Sequence, residues 1–244
     1  MINQPKSIGE VLPFKLGERK LEARWEAEEA RRLEDSKRVT PAVLGEFERL
    51  AHIPKDFYGT GFNNFDAEFN HQKRILKKTI EFAKRGKWVI FSGNMNGIGK
   101  TRLAVDSLKY AYLFGGRVDW QGIYQRGYPE RYRFYSVRRL IMALQTAGIT
   151  KANLFNSVIN RRGLILDEMG GEDEVRDGFQ SRVVLEEIIS GAYDSRYNKV
   201  LLITTPLPKS KFFDRYDGRI IDRLGERAEI IELTGKSFRL SREE

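Results

Sequence analysis

The nine residues Gly93-Asn94-Met95-Asn96-Gly97-Ile98-Gly99-Lys100-Thr101 constrain this chain more than any other segment. They follow the apolar run Trp88-Val89-Ile90-Phe91 and precede Leu103 to Phe114, a predicted helix ended by Gly115-Gly116. A short continuous apolar run suits a strand covered on both faces. Glycines between such a strand and a helix let successive backbone amides converge on an anion, and the helix start adds a favourable dipole. In that setting Lys100 supplies a cation for the β- and γ-phosphates of ATP, and Thr101 Oγ1 is a ligand for Mg2+. Gly93 through Arg102 are the expected phosphate-lining residues. The strict spacing, glycine, four residues, then Gly-Lys-Thr, would place glycine at 94. Asn94 stands there instead, with Gly93 one place earlier. Asparagine tolerates a left-handed backbone better than most residues, so the expectation is a working loop with an unusual turn. A one-residue insertion is the alternative.

A second apolar run, Leu164-Ile165-Leu166, ends in Asp167-Glu168, with Asp167 lying 67 residues beyond Lys100. Ligands of open α/β sheets bind at such carboxyl ends of strands. Asp167 is therefore the expected magnesium carboxylate, acting through water, and Glu168 the group that orients or activates an attacking water. A third strand, Val200 to Ile203, runs into Thr204-Thr205-Pro206. Thr205 is the candidate γ-phosphate sensor, with simple strand capping as its alternative. On a predicted helix, Arg219-Ile220-Ile221-Asp222-Arg223-Leu224 carries two arginines, suited either to a surface ion pair or to a neighbour's γ-phosphate.

Around these motifs, predicted strands at 88–91, 133–136, 164–166, 200–203 and 229–233 alternate with helices at 103–114, 137–147, 151–160, 179–196 and 217–224. That pattern implies an α/β core, a parallel sheet with helices on both faces. Ahead of it lie a loose tail over 1–16 and a charged helix over 18–38, whose Leu21, Trp25 and Leu33 share one stripe. A short helix from Thr40-Pro41 to Leu50 and another from Asp66 to Arg85 complete the prediction. The boundary falls near residue 55: 1–55 a small helical partner-docking region, 56–244 the core. The net charge of +9 and the isoelectric point near 9.6 favour polyanionic partners. No apolar run approaches a bilayer span, no secretory signal opens the chain, and cysteine is absent, which together suggest a cytoplasmic protein. Residues 117–133 interleave Trp120, Tyr124, Tyr128 and Tyr132 with Arg126, Arg131 and Arg133, a mixture suited to single-stranded DNA or to an ordinary hairpin.

These features together resemble the DnaC/IstB-type branch of the AAA+ ATPases, the bacterial and phage helicase loaders and their transposition relatives. The resemblance runs from about residue 50 to 240. It is carried by Ala51-His52-Ile53-Pro54-Lys55-Asp56-Phe57 with Phe62-Asn63-Asn64-Phe65, by Arg196-Tyr197 and Thr204 to Pro208, and by Arg219 to Arg239. It departs from the family at Asn94, at Pro206 where relatives often carry a polar residue, and in the length of 117–133. The resemblance implies an AAA+ P-loop core without a C-terminal helical lid. It also implies self-association in which Arg223 acts across a subunit interface, and delivery of a hexameric replicative helicase to single-stranded DNA through the N-terminal region. An IstB-like regulator of transposition and a nucleotide-gated binding module with little hydrolysis are the alternatives.

Overall fold

The computed structural model describes residues 40–67, 70–114, 117–118, 124–125, 128–171, 178–194, 200–216, 218–235 and 237. The charged helix expected over 18–38, Trp120, Arg126 and the residues beyond 237, on which a C-terminal lid would depend, lie outside that set. Strands in chain order are β1 (Trp88–Ser92), the two-residue β2 (Arg117–Val118) and β3 (Tyr124–Gln125), β4 (Tyr132–Ser136), β5 (Gly163–Asp167), β6 (Val200–Thr205) and β7 (Ala228–Glu232). β2 and β3 pair antiparallel. The other five form one parallel sheet in the order β4-β5-β6-β1-β7.

Side chains alternate across a strand, and this sheet uses both sides. Trp88, Ile90, Leu164, Leu166, Leu201 and Ile203 enter one hydrophobic core; Val89, Phe91, Ile165 and Leu202 enter another. The continuous apolar runs are thereby explained, because neither face of β1, β5 or β6 meets water. The second core is closed by α1 (Pro41–Leu50), α2 (Asn70–Arg85) and α3 (Lys100–Phe114). The first is closed by α4 (Val137–Thr146), α5 (Lys151–Ile159), α6 (Gly178–Asp194), α7 (Lys209–Arg215) and α8 (Gly218–Arg227). Val137, Leu140, Ile141 and Leu144 of α4 are all buried at helical spacing. Helix α7 was not foreseen; the seven-residue segment is too short for its periodicity to register. Among the described residues no helix is long and apolar enough to cross a membrane.

Helix α1 belongs to this core. Phe47 is fully buried and stacks on Tyr112 with ring centroids 4.2 Å apart, and Ala51 and Ile53 are buried beside it. The compact unit accordingly begins at Pro41, not near residue 55. Polar contacts reinforce the join. Lys109 Nζ lies 2.6 Å from Glu48 Oε1, with both side chains almost fully buried, and donates to the carbonyls of Phe57 at 2.6 Å and Thr60 at 3.0 Å. Burial draws the Lys109 ammonium below its ordinary value, and the bond to Glu48 opposes that shift. Thr60 Oγ1 in turn donates to Asp106 at 2.8 Å. Residues 48–65 are thus tied to α3, the helix that starts at the glycine-rich loop.

Removing one member of a buried ion pair strands the other charge, at a cost of about 3–5 kcal/mol. Glu48→Ala is expected to lower the unfolding free energy by that amount in a denaturant titration. The Glu48→Leu/Lys109→Met double variant should lose clearly less than the sum of its single changes.

Candidate functional site

The loop predicted between β1 and α3 occupies residues 93–99, and α3 begins at Lys100. Gly93 is required for space: a Cβ there would sit 2.6 Å from the Leu233 carbonyl oxygen and 2.7 Å from Ile98 Cδ1. The left-handed turns fall on Gly97 (φ 78°) and Gly99 (φ 92°). Asn94 does not adopt a positive φ, so its tolerance of that region is not what rescues the loop. Asn94, Met95 and Asn96 are exposed at its crest, whereas Ile98 is buried beneath it. Lys100 Nζ bends back over the loop and donates to the carbonyls of Gly93 and Met95, both at 2.7 Å. Burial lowers the Lys100 pKa, against the opposing attraction of Asp167 and Glu168. A partly desolvated ammonium at a helix start, held only by two loop carbonyls, has the chemistry to take an anionic partner.

Asp167 ends β5 opposite this loop. Its Oδ1 accepts from Thr101 Oγ1 at 2.9 Å and from Thr204 Oγ1 at 2.7 Å. Thr204 Oγ1 also accepts from the Glu168 amide at 2.9 Å. The hydroxyl that joins the acidic pair is therefore that of Thr204, which the sequence reading passed over. Thr205 Oγ1 accepts from the Leu207 amide at 3.1 Å, the strand-capping role that stood as its alternative. Consecutive strand residues face opposite sides, so only one of the two threonines can turn toward α3 and Asp167. Burial, and to a lesser degree the Glu168 charge, raises the Asp167 pKa; the bonds from Thr204 and Thr101 and the Lys100 charge oppose it. Glu168 is exposed at the start of a turn and has φ 62°. A non-glycine residue in that region costs about 1–3 kcal/mol and is found most often where function demands it.

Thr101 Oγ1 and Asp167 Oδ1 are hard oxygen donors, suited to a magnesium ion that keeps waters and phosphate oxygens in its shell. Among the described residues no cluster of three acidic, histidine or cysteine side chains would hold a metal without such added ligands. Arg102 is committed elsewhere: its Nε pairs with Asp106 at 2.8 Å and its Nη2 donates to the carbonyl of Asn64 at 3.2 Å. Only its backbone remains for the loop. Arg223 lies on α8, bonded to Ser190 Oγ, 3.9 Å from Asp194 and 5.4 Å from the Tyr193 ring centroid. These contacts hold it against α6, not against Lys100 or Asp167. Arg219 is exposed on the same helix. An apolar cleft beside the loop, also missed from sequence, is lined by Phe65, Gln72, Ile75, Ile98, Leu103 and Leu233. Its walls come from four separate segments, so no local pattern announces it.

A parallel sheet in this strand order, with a glycine-rich loop after its inner strand β1 and a carboxylate at the end of β5, has the α/β architecture of a P-loop core. By sequence the chain matches no family model and no curated protein. Among solved structures it is similar to the DnaC helicase loader, at 24% identity and TM-score 0.57, over 74% of this chain and 100% of that one. It is similar to DnaI, at 14% identity and TM-score 0.52, over 75% and 95%. A third is the replication initiator DnaA bound to AMPPCP and single-stranded DNA, at 16% identity and TM-score 0.53, over 75% of this chain and 51% of that one. At these identities the shared property is the fold.

An acid whose folded pKa lies above its unfolded value holds more protons when folded. Stability is then lost as pH rises from the unfolded value through the folded one. Asp167→Asn keeps the acceptor for Thr101 and Thr204 but removes the charge. In nucleotide-free protein this variant is expected to melt above wild type at neutral pH by circular dichroism. The difference should close when the pH falls below the ordinary aspartate range.

Proposed function

We propose that this chain is a cytoplasmic, ATP-dependent helicase loader acting in DNA replication. The observation that carries the reading is the hydrogen-bonded chain Thr101–Asp167–Thr204–Glu168 at the mouth of the phosphate loop. It sets a magnesium ligand and a water-orienting carboxylate on one rigid edge. ATP binds with its phosphates on the amides of 93–101 and on Lys100, and with its base in the cleft between Phe65, Ile98 and Leu233. Magnesium, when bound, neutralises charge developing on the transferred phosphoryl group. Lys100 exchanges its two carbonyl partners for phosphate oxygens. Thr101 and Asp167 hold the ion's shell, Glu168 orients the attacking water, and the Thr204 hydroxyl ties the Asp167 carboxylate to the Glu168 backbone.

The same reading makes hydrolysis a property of an assembly. Arg223 reaches the active site of a neighbouring copy, which requires it to leave Ser190 and Asp194. The region before Pro41 docks a hexameric replicative helicase, and single-stranded DNA is the strand onto which that helicase is delivered. The structural likeness to the DnaC helicase loader and to DnaI supports this choice.

Lys100→Ala is expected to abolish measurable ATP binding by calorimetry. Glu168→Gln should retain binding while turnover falls by about 10²-fold or more. If Lys100→Ala leaves affinity and turnover intact, the site assignment fails. Arg223→Ala should lower turnover by about 10³-fold. Mixing it with Lys100→Ala subunits should restore part of that activity, because each supplies what the other lacks. Loss of a helicase complex, weighed by native mass spectrometry, on removing residues 1–40 tests the docking limb.

A further inference from the structure

The amino-terminal end of the sheet, opposite the phosphate loop, gathers cations from three separate segments. Residues 49–52, 128–133 and 160–162 contribute Arg49, Arg131, Arg133, Arg161, Arg162 and His52 against one carboxylate, Glu130. Backbone bonds knit the three together. The Phe134 amide donates to the Ala51 carbonyl at 2.9 Å, and the Arg162 amide to the Arg131 carbonyl at 2.7 Å. Arg133 Nη1 donates to the Leu50 carbonyl at 2.9 Å, and Arg161 Nη1 to the Glu130 carbonyl. Among the described residues neither guanidinium has a carboxylate partner, and Arg161 Nε is buried with no partner at all. Burial and these two arginines hold the His52 imidazole below its ordinary pKa, which places all three groups within electrostatic reach. Two part-buried guanidinium charges that rest only on neutral carbonyls leave charge that an anion neutralises. Tyr128, which precedes the turn Pro129–Arg131 and accepts from the Arg131 amide, is 73% exposed.

We propose that this end of β4 and β5, with the turn at His52, binds the phosphodiester backbone of a single strand, Arg133 and Arg161 on phosphates and Tyr128 stacked on a base. An exposed ring beside cations is a platform for an unpaired base, which a duplex does not offer. The inference gives the loader reading a place for its strand, and rests on that reading for choosing nucleic acid over another polyanion. It also lies at the far end of the parallel strands from Asp167, so strand and nucleotide are held on opposite ends of one rigid sheet.

Anisotropy of a labelled oligodeoxythymidylate with the full chain tests it, over a range of salt. Arg133→Gln/Arg161→Gln is expected to weaken binding about tenfold or more and to flatten the log–log salt dependence by roughly 1.4, at about 0.7 per lost phosphate contact. Tyr128→Ala should weaken binding by about fivefold or more while leaving the salt slope unchanged. The two arginines also hold backbone carbonyls, so Arg133→Lys/Arg161→Lys, which keeps the charge, should restore the slope. The chain has only two histidines, which makes proton NMR a direct locator. Bound oligonucleotide should raise the His52 pKa and shift its ring resonances, while the ring resonances of His71, whose Nε2 lies 3.0 Å from the Thr234 carbonyl next to the base cleft, stay in place. If wild type binds the strand but the slope and His52 do not respond, this face is wrong and the loader reading stands. If wild type binds no strand, the DNA limb of that reading falls with it. Equal affinity for duplex overturns the choice of a single strand.

Discussion

Parallel pairing sets Leu166 beside Ile203 and Phe91 beside Thr204, and so brings Asp167 level with Thr204 at the carboxyl edge. From that alignment the rest of the site follows. Thr204 reaches Asp167 across one strand spacing, Thr101 reaches it from the start of α3, and the Glu168 amide closes the chain of bonds. A slip of one residue in β6 would turn Thr205 inward in place of Thr204 and break all three relations. The register is secured by burial, since Leu201, Ile203 and Leu202 must each find their own core.

The site is held under tension before any ligand arrives. Lys100 and Asp167 are both partly removed from water, and burial pushes each toward its neutral form. Glu168 sits in a backbone region that favours glycine. Such groups are costly in the free protein, and on the proposed function a bound, highly charged ligand offsets that cost. The surrounding structure bears the cost through two dry cores and the buried Glu48–Lys109 pair, which clamps the lead-in segment to α3.

Much of the fold was legible because its signals are local. Strands covered on both faces must read as continuous apolar runs, and Trp88–Phe91, Leu164–Leu166 and Val200–Ile203 do. The loop between β1 and α3 and the acidic end of β5 were legible because glycines between an apolar run and a helix mark a turn, and paired carboxylates mark a strand's exit to solvent. Thr204 was not, because choosing between adjacent threonines needs the parity of β6 relative to Asp167. An apolar strand buried on both sides carries no such parity in its sequence. The place of α1 was likewise hidden, since a proline-broken helix looks the same whether it leaves the core or, like Phe47, enters it.

By itself the sequence determined that a glycine-rich loop would join a buried strand to a helix, that two carboxylates would end another strand, and that the chain would be strongly cationic. Those are properties of neighbours along the chain. Tertiary structure alone decided which threonine serves Asp167, that Arg102 is spent on Asp106 and Asn64, and that Arg223 rests against α6. It also decided that the segments carrying His52, Arg133 and Arg161 are joined at one end of the sheet. Each of these joins residues from different segments, and no local spacing encodes a distance that only the folded register sets.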